Sequence, residues 1–282
     1  MRNLKRALSL ALAAIMLVGM MVVSASAASY NNLTDKDEIV NKDAVSMLVS
    51  LGIIEGKPDG SYAPTENVDR AQMAKMLSVI MNKGVDNSAL YQSVNSGLTD
   101  ITSNWAKGHI NYCYTTGIIA GRGNGTFDPS ATVTALEAAK MLLVAVGYDP
   151  KIEGFEGADW AINVSVRADE QGIFEGFTKD LSAPLNRDDA ALLIYNALDV
   201  EMIESYTTNN YPIVYSDHRT ILSDKYGVIK VEGVVTANEW AILDDDTDTA
   251  LQEGKTRIYN PDGILSTTGN TAVAQDSSAN VK

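Results

Sequence analysis

Three stretches of this 282-residue chain follow one pattern, and internal repetition constrains the fold more than any other feature of a sequence. The first runs Gly52-Ile53-Ile54-Glu55-Gly56, a Pro58-Asp59-Gly60 turn, Pro64, then Val68-Asp69-Arg70-Ala71-Gln72 opening an apolar run. The second runs Gly117-Ile118-Ile119-Ala120-Gly121, Asn124-Gly125-Thr126-Phe127, Pro129 and Val133-Thr134-Ala135-Leu136-Glu137. The third is worn: Gly172-Ile173-Phe174-Glu175-Gly176, Pro184 and Leu185-Asn186-Arg187-Asp188-Asp189. Gly56 and Arg70 are 14 residues apart, as are Gly121 and Ala135, whereas Gly176 and Arg187 are 11 apart, so the third copy has a shorter loop.

Counted from Arg70, Ala135 and Arg187, offsets +3, +4, +6, +7 and +10 are apolar in all three copies. That spacing is one face of an α-helix. Each repeat therefore carries a face that it cannot bury alone, and the three are expected to form one unit. The repeats span 33–82, 98–149 and 152–200. A first helix is expected at about 37–51, ending at Gly52, and a second from Asp69. A polar Gly/Ser/Asn-rich linker covers 82–97. Leu33-Thr34-Asp35 opens the first repeat and Leu98-Thr99-Asp100 the second; Trp105 and Trp160 each precede the Gly-Ile run by 12 residues, where the first repeat has Val40.

Outside the repeats the character changes. Arg2, Lys5 and Arg6, an apolar run over 7–23 and Ala25-Ser26-Ala27 read as a secretory leader over 1–27, with an uncleaved membrane anchor as the alternative. Stretch 211–265 is β-rich with turns. Stretch 266–282 is Ser/Thr/Asn/Ala-rich and reads as a disordered tail or linker, with a further domain expected beyond it. The net charge is −14, from 22 basic and 36 acidic residues, which speaks against nucleic acid or an anionic membrane as the main partner. The single cysteine, Cys113, allows no internal disulfide.

The combination of Leu-Thr-Asp, Trp, Gly-Ile-Ile-x-Gly, the glycine turn with its Pro, and the capped Arg helix resembles the S-layer homology (SLH) family. The resemblance covers 33–198. Leu stands where the family has Phe, and the third copy lacks the opening Asp motif. The resemblance implies a mainly α fold, three repeats in a pseudo-trimeric helical bundle, followed here by the small β-rich segment. It further implies grooves that bind a secondary cell-wall polysaccharide, commonly pyruvylated, through the motif arginine. The expected location is the cell wall or S-layer of a bacterial surface.

Residue chemistry gives the motif two layers. Asp69, Thr134 and Asn186 are good N-caps, with Gln72, Glu137 and Asp189 three residues on. Capping does not explain Arg70 and Arg187, because a cation in the first turn opposes the helix dipole. An anion at the helix N-terminus, shared between free N–H groups and the guanidinium, does explain them; an ordinary surface ion pair is the alternative. Ala135 leaves the second repeat without this charge. Trp105 and Trp160 are candidates for stacking on sugar rings, with core packing as the alternative. The carbohydrate-binding candidates are thus Arg70, Arg187, Trp105 and Trp160.

No catalytic residue is expected: His109 aligns with Ala44 and Val164, and no nucleophile–base pair or paired-carboxylate signature is visible. Asp244, Asp246 and Asp248 have EF-hand spacing, but Thr249 and Lys255 replace the turn glycine and the bidentate glutamate. No cofactor is therefore expected, with loose Ca²⁺ binding by that loop left as an alternative. The function expected is non-catalytic anchoring to wall glycan. The alternatives are the anchor of a hydrolase whose catalytic domain lies beyond Lys282, or a self-assembling lattice subunit.

Overall fold

The computed structural model describes residues 29–228 and two strands beyond them, Val234–Ala237 and Arg257–Tyr259. The expected leader at 1–27, the acidic loop at Asp244, Asp246 and Asp248, and the tail at 266–282 lie outside the described residues.

Each repeat is a helix pair joined by its turn-rich loop. The pairs are α1 (Lys42–Ser50) with α2 (Arg70–Met81), α3 (Lys107–Thr115) with α4 (Ala135–Val146), and α5 (Trp160–Glu170) with α6 (Arg187–Ala197). The second helix of each pair starts at the expected cap. Asp69, Thr134 and Asn186 accept the backbone N–H of Gln72, Glu137 and Asp189, and Thr134 with Glu137 completes a capping box. The first helix of repeat 1 is shorter than expected: a 3₁₀ turn occupies Lys36–Glu38 and α1 begins only at Lys42. Asn41, just before it, is held by the carboxylate of Asp188 in repeat 3.

The apolar offsets do what their period requires. Met73, Ala74, Leu77 and Ile80 on α2, Ala138, Ala139, Leu142 and Ala145 on α4, and Ala190, Ala191, Ile194 and Ala197 on α6 are all buried in one core. The first helices do not pack mainly on their own partners. α3 lies on α2, α5 on α4 and α1 on α6, so each repeat covers the one before it and the third is covered by the first. At the centre, three backbone hydrogen bonds close a cycle. Val68 N–H donates to Leu185 O at 2.8 Å, Leu185 N–H to Val133 O at 2.8 Å, and Val133 N–H to Val68 O at 2.9 Å. Each of these residues sits at the same repeat position, directly before the N-cap, so the sequence repeat becomes a pseudo-threefold axis.

The compact unit continues past the third repeat to Tyr226. A hairpin of β1 (Ile203–Tyr206) and β2 (Pro212–Val214) is followed by α7 (Ile221–Tyr226), so the first strand opens ahead of the β-rich stretch read at 211–265. Ile203, Ile221 and Leu222 are buried. Tyr206 Oη accepts Asp149 N–H at 2.9 Å and donates to Glu153 at 3.0 Å, and Tyr226 Oη donates to Ile80 O at 3.3 Å. A second unit begins at Gly227; its described part is the antiparallel pair β3 (Val234–Ala237) and β4 (Arg257–Tyr259). The described chain is mainly α-helical with a small β component.

Candidate functional site: the seams between repeats

The loop between paired helices is shaped by the opening aspartate. Asp35 accepts the backbone N–H groups of Tyr62 and Ala63, both at 2.7 Å, and Asp100 accepts those of Phe127 at 2.9 Å and Asp128 at 2.7 Å. Ala63 and Asp128 take left-handed backbone angles, φ 57° and 61°, which the carboxylate stabilises. Burial alone would raise the pKa of Asp100, but the bonds from Phe127 and Asp128 more than offset it and hold the carboxyl below its ordinary value. The outcome is an aromatic ring turned inward: Tyr62 is 1% exposed and Phe127 0%. At Gly121 a Cβ would stand 2.9 Å from Thr126 O, which is why this loop closes on a glycine.

The motif arginines cover those rings from the neighbouring repeat. Arg70 lies with Cζ 4.3 Å from the Phe127 centroid, while its Nε donates to Phe127 O at 2.8 Å and its Nη2 to Ala120 O at 2.9 Å. Arg187 lies 4.7 Å from the Tyr62 centroid and donates from Nε to Tyr62 O at 2.7 Å and from Nη2 to Glu55 O at 3.3 Å. Arg70 is 4% exposed, and burial first, then repulsion from Arg122, push its pKa down to about 10. Arg187 is half-buried.

The free first-turn N–H groups expected beside these arginines are not free. Arg70 N–H donates to Ala131 O and Ala71 N–H to Pro129 O; Arg187 N–H donates to Glu66 O and Asp188 N–H to Pro64 O. The adjoining loop already satisfies the helix N-terminus, so each arginine first of all joins two repeats. The second repeat shows the converse. Ala135 is 0% exposed, Leu136 N–H donates to Leu181 O, and the shortened third loop has Ser182 where the other two carry Tyr62 and Phe127.

Further cations stand at two repeat positions that the sequence reading passed over. Directly after the second glycine of the Gly-Ile run come Lys57, Arg122 and Phe177; at helix offset +5 come Lys75, Lys140 and Leu192. Arg122 pairs with Glu137 at 3.0 Å and Asp128 at 3.7 Å, and Lys140, its pKa lowered by burial, reaches the Trp160 ring at 5.6 Å. Lys57 pairs with Glu66, and Lys75 with Glu55 at 3.4 Å. The seam between repeats 1 and 2 thus combines Arg70, Arg122 and Lys140. By repeat position the seam between repeats 3 and 1 combines Arg187, Lys57 and Lys75. The remaining seam has Ala135, Phe177 and Leu192 at these positions, with one loop cation, Lys179, paired with Asp189 as Arg122 is with Glu137. The signal for them lies in the polar positions of the repeat.

Trp105 is 57% exposed and edge-on to His109 at 6.3 Å; Trp160 is half-buried. The structure also forms a contact that the sequence hid. Ser78 Oγ lies 2.6 Å from His109 Nδ1, with the Asp86 carboxylate 3.6 Å from Nε2. This has the order of a nucleophile, base and orienting acid. Ser78 and His109 are 5% and 4% exposed between α2 and α3, where a substrate carbon has no approach. Among the described residues no group of three or more His, Cys, Asp or Glu is placed to hold a metal.

Parts of the sequence are shared with known proteins. The family model described as "S-layer homology domain" matches residues 32–74 and 97–139. The chain is 27% identical, over 95% of its length, to 32% of a "Cell surface protein" of Thermoanaerobacter kivui. It is 33% identical, over 40% of its length, to 12% of an "S-layer protein" of Bacillus licheniformis, and 30% identical, over 56%, to 9% of an "Amylopullulanase" of Thermoanaerobacterium thermosulfurigenes. It spans a third or less of the length of these relatives.

Proposed function

Since the chain is a bacterial surface protein carrying S-layer homology domains, which anchor it at the cell surface, we propose that its repeat unit grips an anionic secondary cell-wall polysaccharide at two of its three seams, without catalysis. The observation that carries this reading is the uneven charge of the seams, with three cations at each of two and only Lys179 at the third. Where the motif arginine is present, the neighbouring repeat supplies two further cations; where it is replaced by Ala135, both of those positions are apolar too. Packing alone does not ask for such pairing at three separate positions. A cluster of cations in a chain of net charge −14 is a local departure suited to carboxylates on a polymer, such as a pyruvate ketal would supply. Exposed Trp105 and half-buried Trp160 add aromatic surface for sugar C–H faces. Two modest sites on one rigid frame raise apparent affinity through effective concentration.

A second reading, in which the repeats anchor a hydrolytic domain, is favoured by the likeness to the amylopullulanase. Both readings share the wall-binding step. The test is co-sedimentation with purified wall sacculi before and after the secondary polymer is stripped. Retention on intact sacculi and release from stripped ones supports the proposal, and equal retention on both contradicts it.

A further inference from the structure

One segment beyond the repeats, 199–226, reaches the C-terminal end of the second helix of every repeat. α4 stops at Gly147, where a Cβ would lie 2.8 Å from Ile203 O at the start of β1. Tyr206, at the end of β1, bonds Asp149 of repeat 2 and Glu153 of repeat 3. α6 stops at Leu198, whose carbonyl accepts Leu222 N–H of α7 at 2.9 Å. α2 stops at Met81; Tyr226 donates to Ile80 O at 3.3 Å, and a Cβ at Gly84 would stand 3.6 Å from its ring.

These contacts give the chain a particular route. It leaves α6 in repeat 3, lies on repeat 2 through Ile203, returns to repeat 3 through Leu222, and leaves the unit from repeat 1 at Tyr226. The segment is also tied across itself. Met202 N–H donates to Arg219 O at 2.9 Å, and Tyr215 N–H to Met202 O at 3.2 Å. Val200, Ile203, Ile221 and Leu222 are all buried, so it belongs to the core that it crosses. Covering one helix end needs no such path, since a chain running straight on from Leu198 would leave the unit at repeat 3.

We propose that segment 199–226 is a strap through which tension on the following chain is taken up by all three repeats. A protein anchored at the cell surface is pulled through the chain that follows its anchor, here from Gly227 onward. Pulled straight from Leu198, α6 would come away one contact after another. Pulled from Tyr226, the load meets linked contacts on repeats 1, 3 and 2, which have to yield together. The proposal rests on surface anchoring and not on what the seams bind.

The test holds the full chain by handles at its two ends in optical tweezers. The wild type should release the strap and the repeats in one step. In Tyr226→Ala a separate, shorter step should come first and at lower force. A segment of this length gives about 100 Å of extension at roughly 3.5 Å per residue. Tyr226→Phe, which loses only the hydroxyl, should lower the first force less, and it is read alone should Tyr226→Ala fail to fold. Tyr211→Ala, at an exposed residue of the hairpin turn, should behave as the wild type does. A wild type that sheds such a step before the repeats yield would overturn the proposal, as would folded Tyr226 variants with the wild-type force trace. Neither outcome bears on the seam proposal, which is read on sacculi without load.

Discussion

The carboxylate of Asp188 accepts hydrogen bonds from both the backbone N–H and the side-chain amide of Asn41, 147 positions earlier, at 3.0 to 3.3 Å. This contact carries α1 onto α6 and closes the ring of repeats. Asp188 is 5% exposed, and removing it leaves the half-buried donors of Asn41 unpaired. Asp188→Ala should cost about 2–4 kcal/mol, since hydrogen bonds to charged groups are the stronger kind. Urea unfolding measures the loss, and hydrogen exchange should show the opening concentrated in α1.

Arg70 fastens repeat 1 to repeat 2 from a buried position. Arg70→Ala removes two charge-assisted bonds and the contact with Phe127, and should cost about 2–4 kcal/mol. Arg187→Ala, at a half-buried site, should cost less. Unfolding midpoints of the two variants check the order. A lost binding signal in Arg70→Ala must therefore be read against its stability.

Ala135→Arg separates two accounts of the missing charge. If position 135 were an open site short of a cation, the substitution would restore binding. It is fully buried against the shortened third loop, so the longer side chain should overpack the seam and destabilise by about 1–3 kcal/mol. A melting temperature at or above that of the wild type would contradict this.

His109 should make the unit acid-sensitive. Burial lowers its pKa below the ordinary 6.5; Asp86 acts in the opposite direction and Lys75 adds to the lowering. The unfolded chain then binds the proton more readily than the folded one, so stability is full above about pH 6.5 and falls as pH drops below it. His109→Gln should flatten that part of the profile. Thermal melts at pH 7.5 and 5.5 compare the slopes.

Much of the fold was legible because a repeat turns one observation into three. The buried offsets, the caps at Asp69, Thr134 and Asn186, and the mainly α character all follow from short-range rules of spacing and capping. What a single repeat does not encode is its neighbour. The helix exchange between repeats, the Val68–Leu185–Val133 cycle and the occupied N–H groups beside Arg70 and Arg187 are contacts between copies. For that reason an arginine that looked free in sequence proves to be a clamp. The Ser78–His109 contact was hidden in the same way, because its partners come from α2 and α3 of different repeats.

The central claim rests on the cations that line the seams without holding them together. Lys57, Lys75, Arg122 and Lys140 are all at least partly exposed, and the ion pairs of Lys57, Lys75 and Arg122 are surface pairs that contribute little to stability. The most direct measurement is sacculus retention of the variant with all four changed to Gln, at matched ionic strength, with its melting temperature as control. The account predicts a folded variant, melting within a few degrees of the wild type, that is released from the wall. A folded variant retained as fully as the wild type would contradict it.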